Sequence, residues 1–291
     1  MDLMKRKYSG RMLFIFMMLF FLRFVEEFAI ANAIDTMGLM TCAGGFFILL
    51  IYLRFINKSL DEVGLLFMPR KVKKGFLMAI ILNVIPTAIV YLSEYLVLKA
   101  QSQSVNFTVY YDNVSRAFSE VGASAYIGWM AAGIFVSAIH AVFYEMTFRG
   151  VILTLGTKAY PFRTANFIQA LLYTIWFFVP VARVALFNLG TYGAGRIIRL
   201  AVFMLIYEML VALKLGMLHK SSGSVWICLF DHFAFSFVTD SLHIQQSVGG
   251  MTFTDNSLYT RLIAYQVISF VIAVVYSVIK NKKTKNKILN S

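Results

Sequence analysis

Long apolar runs alternate with short polar breaks along this chain, and the alternation predicts eight membrane-spanning helices. The runs cover residues 12–34, 36–56, 75–98, 127–155, 164–179, 193–215, 224–238 and 258–279. A spanning helix needs ~20 predominantly apolar residues, with a range of about 17–25. By that measure the run at 224–238 is short. Pro86 is expected to kink the third helix, and the fifth is expected to stop near Pro180. The first run is too long for the apolar core of a signal peptide, so it reads as a span.

The polar breaks are of two kinds. Residues 57–74 hold Lys58, Arg70, Lys71, Lys73 and Lys74, and a short basic turn at 218–223 holds His219 and Lys220. Residues 99–123 are rich in Ser, Asn and Tyr with few basic side chains, and 239–257 contain no Lys or Arg. Basic loops stay on the cytoplasmic side of a membrane. Both termini and the 57–74 loop are therefore expected inside, with 99–123 and 239–257 outside. The expected architecture is an all-α, polytopic transmembrane bundle in the cell membrane. It has one membrane domain over 1–280 and a basic cytoplasmic tail, 281–291, expected to be disordered.

Composition agrees with this picture. Hydrophobic residues make up 59% of the chain and charged residues 14%, against roughly 45–50% and ~25% in soluble domains. The net charge of +13 does not point to nucleic acid, because the basic residues gather in short loops and at both ends. There they act as topology signals and touch anionic lipid. Cys42 and Cys228 lie in apolar runs and have no metal-ligand spacing, so both read as small core residues. There is no internal repeat of the transporter kind, no heptad pattern, no phosphate-binding glycine loop and no HExxH.

Charged residues inside apolar runs carry the functional signal. The run Phe143-Tyr144-Glu145-Met146-Thr147-Phe148-Arg149-Gly150 places Glu145 and Arg149 four apart on one helix face, in the favourable order for a pair. Such a pair either locks helices together or serves a site. Arg23 and Glu27 are also four apart, next to Glu26, and read first as a helix-packing pair. Glu208 is expected near the cytoplasmic end of its helix and partly wet. Asp231 and His232 are adjacent, so they point about 100° apart on a helix and do not form a dyad by themselves. His232 alone is open to a packing role.

Three stretches together resemble a known family. They are 143–150, 170–177 with Tyr173 and Phe177, and 224–236 with His232 and Ser236. With the order of the helices, they resemble the CPBP (Abi) family of CAAX-prenyl endopeptidases and bacteriocin-processing or bacteriocin-immunity proteins. The resemblance covers about residues 120–240. The N-terminal third is similar mainly in style, including Ser59-Leu60-Asp61-Glu62-Val63-Gly64-Leu65 before the basic loop.

The family pattern is Glu-Glu-x-x-x-Arg, then an aromatic-x-x-x-His, then His-x-x-x-Asn. The resemblance implies that the first Glu and first His activate water and that the second His and the Asn stabilise the oxyanion. The second Glu and the Arg would support the site. Here Tyr144 stands at the first Glu, Phe177 at the first His and Ser236 at the Asn. Glu145, Arg149 and His232 remain. Phenylalanine moves no proton, and tyrosine, with an ordinary pKa near ~10, is a poor base at neutral pH. His140, one turn before Tyr144, is the one nearby candidate to replace the lost proton carrier.

The resemblance therefore implies a membrane-embedded peptide- or partner-binding protein with weakened or lost proteolysis, a pseudoenzyme. Its partners would be the lipid bilayer and a lipidated or leader-bearing peptide, or a membrane protein. Two alternatives stand beside it: an active intramembrane endopeptidase working through Glu145 and His232, and a small-solute transporter. No cofactor is implied, and one His with one or two carboxylates is too small a ligand set for zinc.

Overall fold

Apolar side chains cover much of the outer surface as well as the core, and many charged and polar side chains are buried among them. On helix α3 (Pro69–Ala100) the outward positions Phe76, Ile80, Val84, Leu92 and Leu96 are 41–59% exposed and recur at helical spacing. Phe47, Ile51 and Phe55 form a similar exposed stripe on α2 (Leu39–Phe55). Soluble proteins rarely expose contiguous apolar surface of this extent; lipid accommodates it. The buried side chains include Glu26, Asn83, Glu145, Arg149, Asn166, Gln169, Glu208, Lys214, Asp231, His232 and Gln266.

The computed structural model describes residues 2–30, 38–64, 68–109, 111, 127–247 and 257–289. It is 86% helical. After α1 (Asp2–Val25) a short π-helical turn runs over Glu26–Ile30, and α2 and α3 follow. The strand β1 (Ser104–Val109) precedes α4 (Ile127–Tyr144), which continues as a π-helical segment, Glu145–Ile152, and then as α5 (Leu153–Ala159). Next come α6 (Phe162–Phe187), the single turn α7 (Leu189–Tyr192), α8 (Ala194–Ser222), α9 (Trp226–Ser241), β2 (Leu242–Ser247) and α10 (Leu258–Leu289).

Among the described residues, five helical segments are long and apolar enough to cross a membrane: Pro69–Ala100, Met130–Ala159, Phe162–Phe187, Ala194–Ser222 and Leu258–Lys282. That makes a multi-pass membrane protein the natural reading. α2, with 17 residues, and α9, with 16, are shorter. The helices pack α6 on α8, α3 on α9, and α10 on both α8 and α3, while α4 lies against α2 and α9. The Met130–Ala159 segment is the most enclosed of the five, with 56% of its apolar window buried against 33–50% for the others. All eight residues of its π-helical stretch are buried. π turns inside longer helices are uncommon and recur at functional sites.

Basic and turn residues meet at one end of the bundle. Lys5 lies 5.0 Å over the Tyr160 ring, and the Ser9 hydroxyl donates to the Tyr160 oxygen at 3.0 Å. Lys220 lies 4.2 Å over Phe162, and the Lys71 ammonium donates to the Gly223 carbonyl at 3.3 Å. α8 runs through the expected basic turn to Ser222 and ends on Gly223, whose φ of 67° suits a left-handed cap.

The opposite end holds a departure from the all-α expectation. β1 and β2 form an antiparallel ribbon, Ser104 opposite Ser247 through Val109 opposite Leu242, in segments expected to be loops. Val105, Phe107 and Val109 alternate with polar residues, the pattern of a strand. The ribbon is tied down by the Tyr91 hydroxyl, which donates to the Leu242 carbonyl at 2.7 Å. Arg261 donates to the Ile244 carbonyl at 3.4 Å and also pairs with Glu94 of α3 at 2.7 and 3.0 Å.

Three other expectations change. α6 does not stop at Pro180 but continues to Phe187; a proline removes one donor, and the Val, Ala and Leu that follow resume the ladder. α10 runs to Leu289 through the lysine-rich stretch expected to be disordered, since Lys is a good helix former and the stretch contains no Gly or Pro. Glu208 lies at the middle of α8, as far from Ala194 as from Ser222, and is only 5% exposed.

Candidate functional site

The π-helical segment brings Glu145 and Arg149 into contact. Arg149 Nη1 donates to Glu145 Oε1 at 3.0 Å, and neither side chain is exposed. The same carboxylate oxygen lies 2.7 Å from His232 Nδ1 on α9. Next to a carboxylate, Nδ1 is the protonated nitrogen, which leaves Nε2 as the basic one. Glu145 thus holds a guanidinium and an imidazole at once. Arg149 is fixed further by the Ala212 carbonyl at 3.4 Å and by the Tyr173 ring, 4.6 Å away.

A close crossing of α6 and α8 supports that arginine. Gln169 donates to the Ala212 carbonyl at 3.0 Å and to Asn166 Oδ1 at 3.2 Å, and Asn166 donates to the Leu213 carbonyl at 3.2 Å. The crossing depends on Gly216, where a Cβ would fall 1.7 Å from Asn166 Oδ1.

Tyr144 and Phe177 meet in an aromatic cluster beside the ion pair. The Tyr144 ring stacks on His140 at 5.4 Å and on His232 at 5.7 Å. It meets Phe177 edge-on at 5.2 Å and Trp176 at 6.1 Å. Offset and edge-to-face pairs at these distances are worth about 0.5–1.5 kcal/mol each beyond burial. A phenol ring, not a carboxylate, therefore lies against the face of His232. His140 reaches this cluster from the side of α2, where a Cβ on Gly38 would lie 3.3 Å from its Nε2 and 3.2 Å from Arg23 Nη1. Ser236 is one turn beyond His232 and half-buried; its carbonyl accepts from the Thr239 hydroxyl at 3.2 Å.

Among the described residues, several buried polar atoms here have no hydrogen-bond partner: Glu145 Oε2, Arg149 Nε, Thr147 Oγ1 and Trp176 Nε1. Such orphans are rare in folded proteins and call for an explanation. An acceptor, two N–H donors and a hydroxyl are what an extended peptide backbone would engage.

A second buried network adjoins the first. Asp231 faces away from His232 and contacts the Lys214 ammonium at 2.7 Å, both 1% exposed. Lys214 also donates to the Ser269 hydroxyl at 3.0 Å. Asn83 donates to Asp231 Oδ1 at 3.0 Å and accepts from the Tyr265 hydroxyl. Sequence reasoning passed over Lys214, Asn83, Asn166 and Gln169. The available signal was a polar side chain within an apolar run, with Asn166 and Gln169 sharing one run. The Arg23–Glu27 pair, at 3.1 Å, extends to Arg183 at 3.4 Å and so joins α1 to α6. Glu26 accepts the Met40 and Thr41 N–H groups at 3.2 and 2.9 Å and so caps α2 from another helix. Cys42 and Cys228 are both buried and unbridged.

No protein-family model, curated protein or solved structure matches this chain.

Proposed function

We propose that the chain is an eight-span membrane protein of the CPBP type that binds a peptide or a partner protein and has weakened or lost proteolysis. One observation carries this reading. Tyr144 and Phe177, at the positions of the water-activating Glu and His, pack together with His232 in an aromatic cluster. The neighbouring carboxylate of Glu145 is already held by Arg149 and His232. The orphaned Glu145 Oε2 and Trp176 Nε1 support backbone recognition, as acceptor and donor. The occupant would be a lipidated or leader-bearing peptide entering from the bilayer, or a segment of a membrane partner.

The finer topology belongs to the same proposal. Adding α1, α2 and α9 to the five long helices gives eight spans. The basic end of the bundle lies in the cytoplasm of a cell-membrane protein, with both termini inside. The β1–β2 ribbon lies outside.

A working endopeptidase is favoured by one contact. The 2.7 Å link between Glu145 and His232 Nδ1 leaves Nε2 as an oriented base, the logic of a carboxylate–histidine pair. Purified full-length protein separates the readings. Stoichiometric retention of a prenylated or leader peptide without cleavage supports the binding protein. Cleavage lost in His232→Ala supports the endopeptidase, and solute flux in liposomes without either supports a transporter.

A further inference from the structure

A small cleft of about 40 Å³ opens at the basic end of the bundle, lined by Lys71, Lys74, Gly75, Ser222, Tyr276 and Lys280 among others. Among the described residues, three lysines line it and no carboxylate does. They come from two helices, Lys71 and Lys74 from the first turns of α3 and Lys280 from the last part of α10. The wall is the capped turn between α8 and α9. There the Ser222 hydroxyl donates to the Ser224 carbonyl at 2.9 Å, and Lys71 donates to the Gly223 carbonyl at 3.3 Å. Lys280 leans over the Tyr276 ring at 5.8 Å. The floor is a close crossing of α3 and α9, since a Cβ on Gly75 would lie 3.0 Å from the Ile227 nitrogen.

We propose that this cleft binds one phosphate group, carried by an anionic membrane phospholipid. Like charges gathered around one opening repel each other, and an anion between them reverses that cost. Lysine recognises phosphate as a point charge, without the bidentate geometry of arginine. The lipid source follows from the surroundings. Phe76, the residue after Gly75, is 52% exposed, and Val278 and Ile279, just before Lys280, are 61% and 50% exposed. Apolar surface thus begins where the basic rim ends, as a headgroup site with acyl chains along α3 and α10 requires. Basic pockets between helices on the cytoplasmic side are suited to such headgroups. The site is separate from the Glu145 centre and stands whether or not that centre binds peptide.

The test uses full-length protein, delipidated in neutral detergent and titrated with phosphatidylglycerol, phosphatidylcholine or inorganic phosphate. Bound lipid is counted by native mass spectrometry. The expected result is one phosphatidylglycerol per chain, displaced by millimolar phosphate and by salt, with no comparable binding of phosphatidylcholine. Each lysine near a charged lipid surface changes affinity by roughly five-fold. Lys71→Gln/Lys74→Gln/Lys280→Gln should therefore weaken binding by about 100-fold. Lys74→Gln alone, at an exposed side chain, controls for folding and should weaken it by about five-fold. Lys74→Arg should retain binding. Equal retention of the two lipids, or unchanged affinity in the triple variant, would overturn the proposal. Binding of inorganic phosphate without the lipid would overturn the lipid assignment.

Discussion

Removing the Glu145 carboxylate gives the sharpest test of the buried network. In Glu145→Ala, Arg149 keeps the Ala212 carbonyl at 3.4 Å and the Tyr173 ring at 4.6 Å, but its counter-charge is gone. His232 loses its 2.7 Å partner at the same time. Breaking a fully buried pair by removing one member costs ~3–5 kcal/mol, because the other charge is left uncompensated. A desolvated cation–π contact offsets about 2 kcal/mol of that at most, and it already exists in the native state. The unpartnered imidazole adds ~1–3 kcal/mol. The expected loss is therefore at least ~3 kcal/mol. Replacing both residues in Glu145→Leu/Arg149→Met removes the stranded charge and should recover most of it. Unfolding of the native chain, Glu145→Leu, Arg149→Met and the double variant in mixed SDS micelles, followed by far-UV circular dichroism, completes a double-mutant cycle. A Glu145→Ala midpoint equal to that of the native chain, or a cycle with no coupling, would refute burial of a working ion pair.

Other consequences are open to measurement. A cysteine placed at Ser102, just before the ribbon, should react with impermeant reagent from the outside only; reaction from the cytoplasm alone would reverse the topology. Gly216→Ala should destabilise by ~1–3 kcal/mol through overpacking against Asn166, and the loss should shrink in Gly216→Ala/Asn166→Ala. At the basic end, Glu62 accepts from the Lys58 ammonium and from the Ser59 N–H at 3.0 Å. The Lys58 bond is the main cause that holds the Glu62 carboxyl below its ordinary value of 4.5. A depressed carboxyl pKa contributes stability that is present above that ordinary value and lost as pH falls through the folded one. Lys58→Ala should therefore raise the Glu62 midpoint in an NMR titration, and an unchanged midpoint would remove Lys58 as the cause.

Features set by local spacing were readable in the sequence. Helix periodicity places Glu145 and Arg149 on one face, and they pair. The 100° between Asp231 and His232 sends them to different partners, Lys214 and Glu145. Both cysteines sit in apolar runs and are buried. Features set by distant partners were not readable. Glu145 and His232 are separated by 87 positions, and nothing local announces their contact. The β1–β2 ribbon joins two segments that each look like polar loops, and their short alternation has meaning only once they are paired. Pro180 signals a break that packing overrides, helped by the tie between Arg183 and Glu27. Lys214 looks like a stray cation in α8 until α9 supplies Asp231.

Cleavage of prenylated and leader peptides by the purified native chain, run beside Tyr144→Glu/Phe177→His, tests the central claim most directly. General acid–base help is worth roughly 10²–10⁴ in rate and an oxyanion donor about 10²–10³. A site that keeps the second without the first should hold peptide yet barely turn it over. The native chain is predicted to retain peptide without measurable cleavage, and the double variant to gain activity that neither single change confers. Robust cleavage by the native chain, abolished by Glu145→Ala or His140→Ala, would contradict this account and identify the base it lacks.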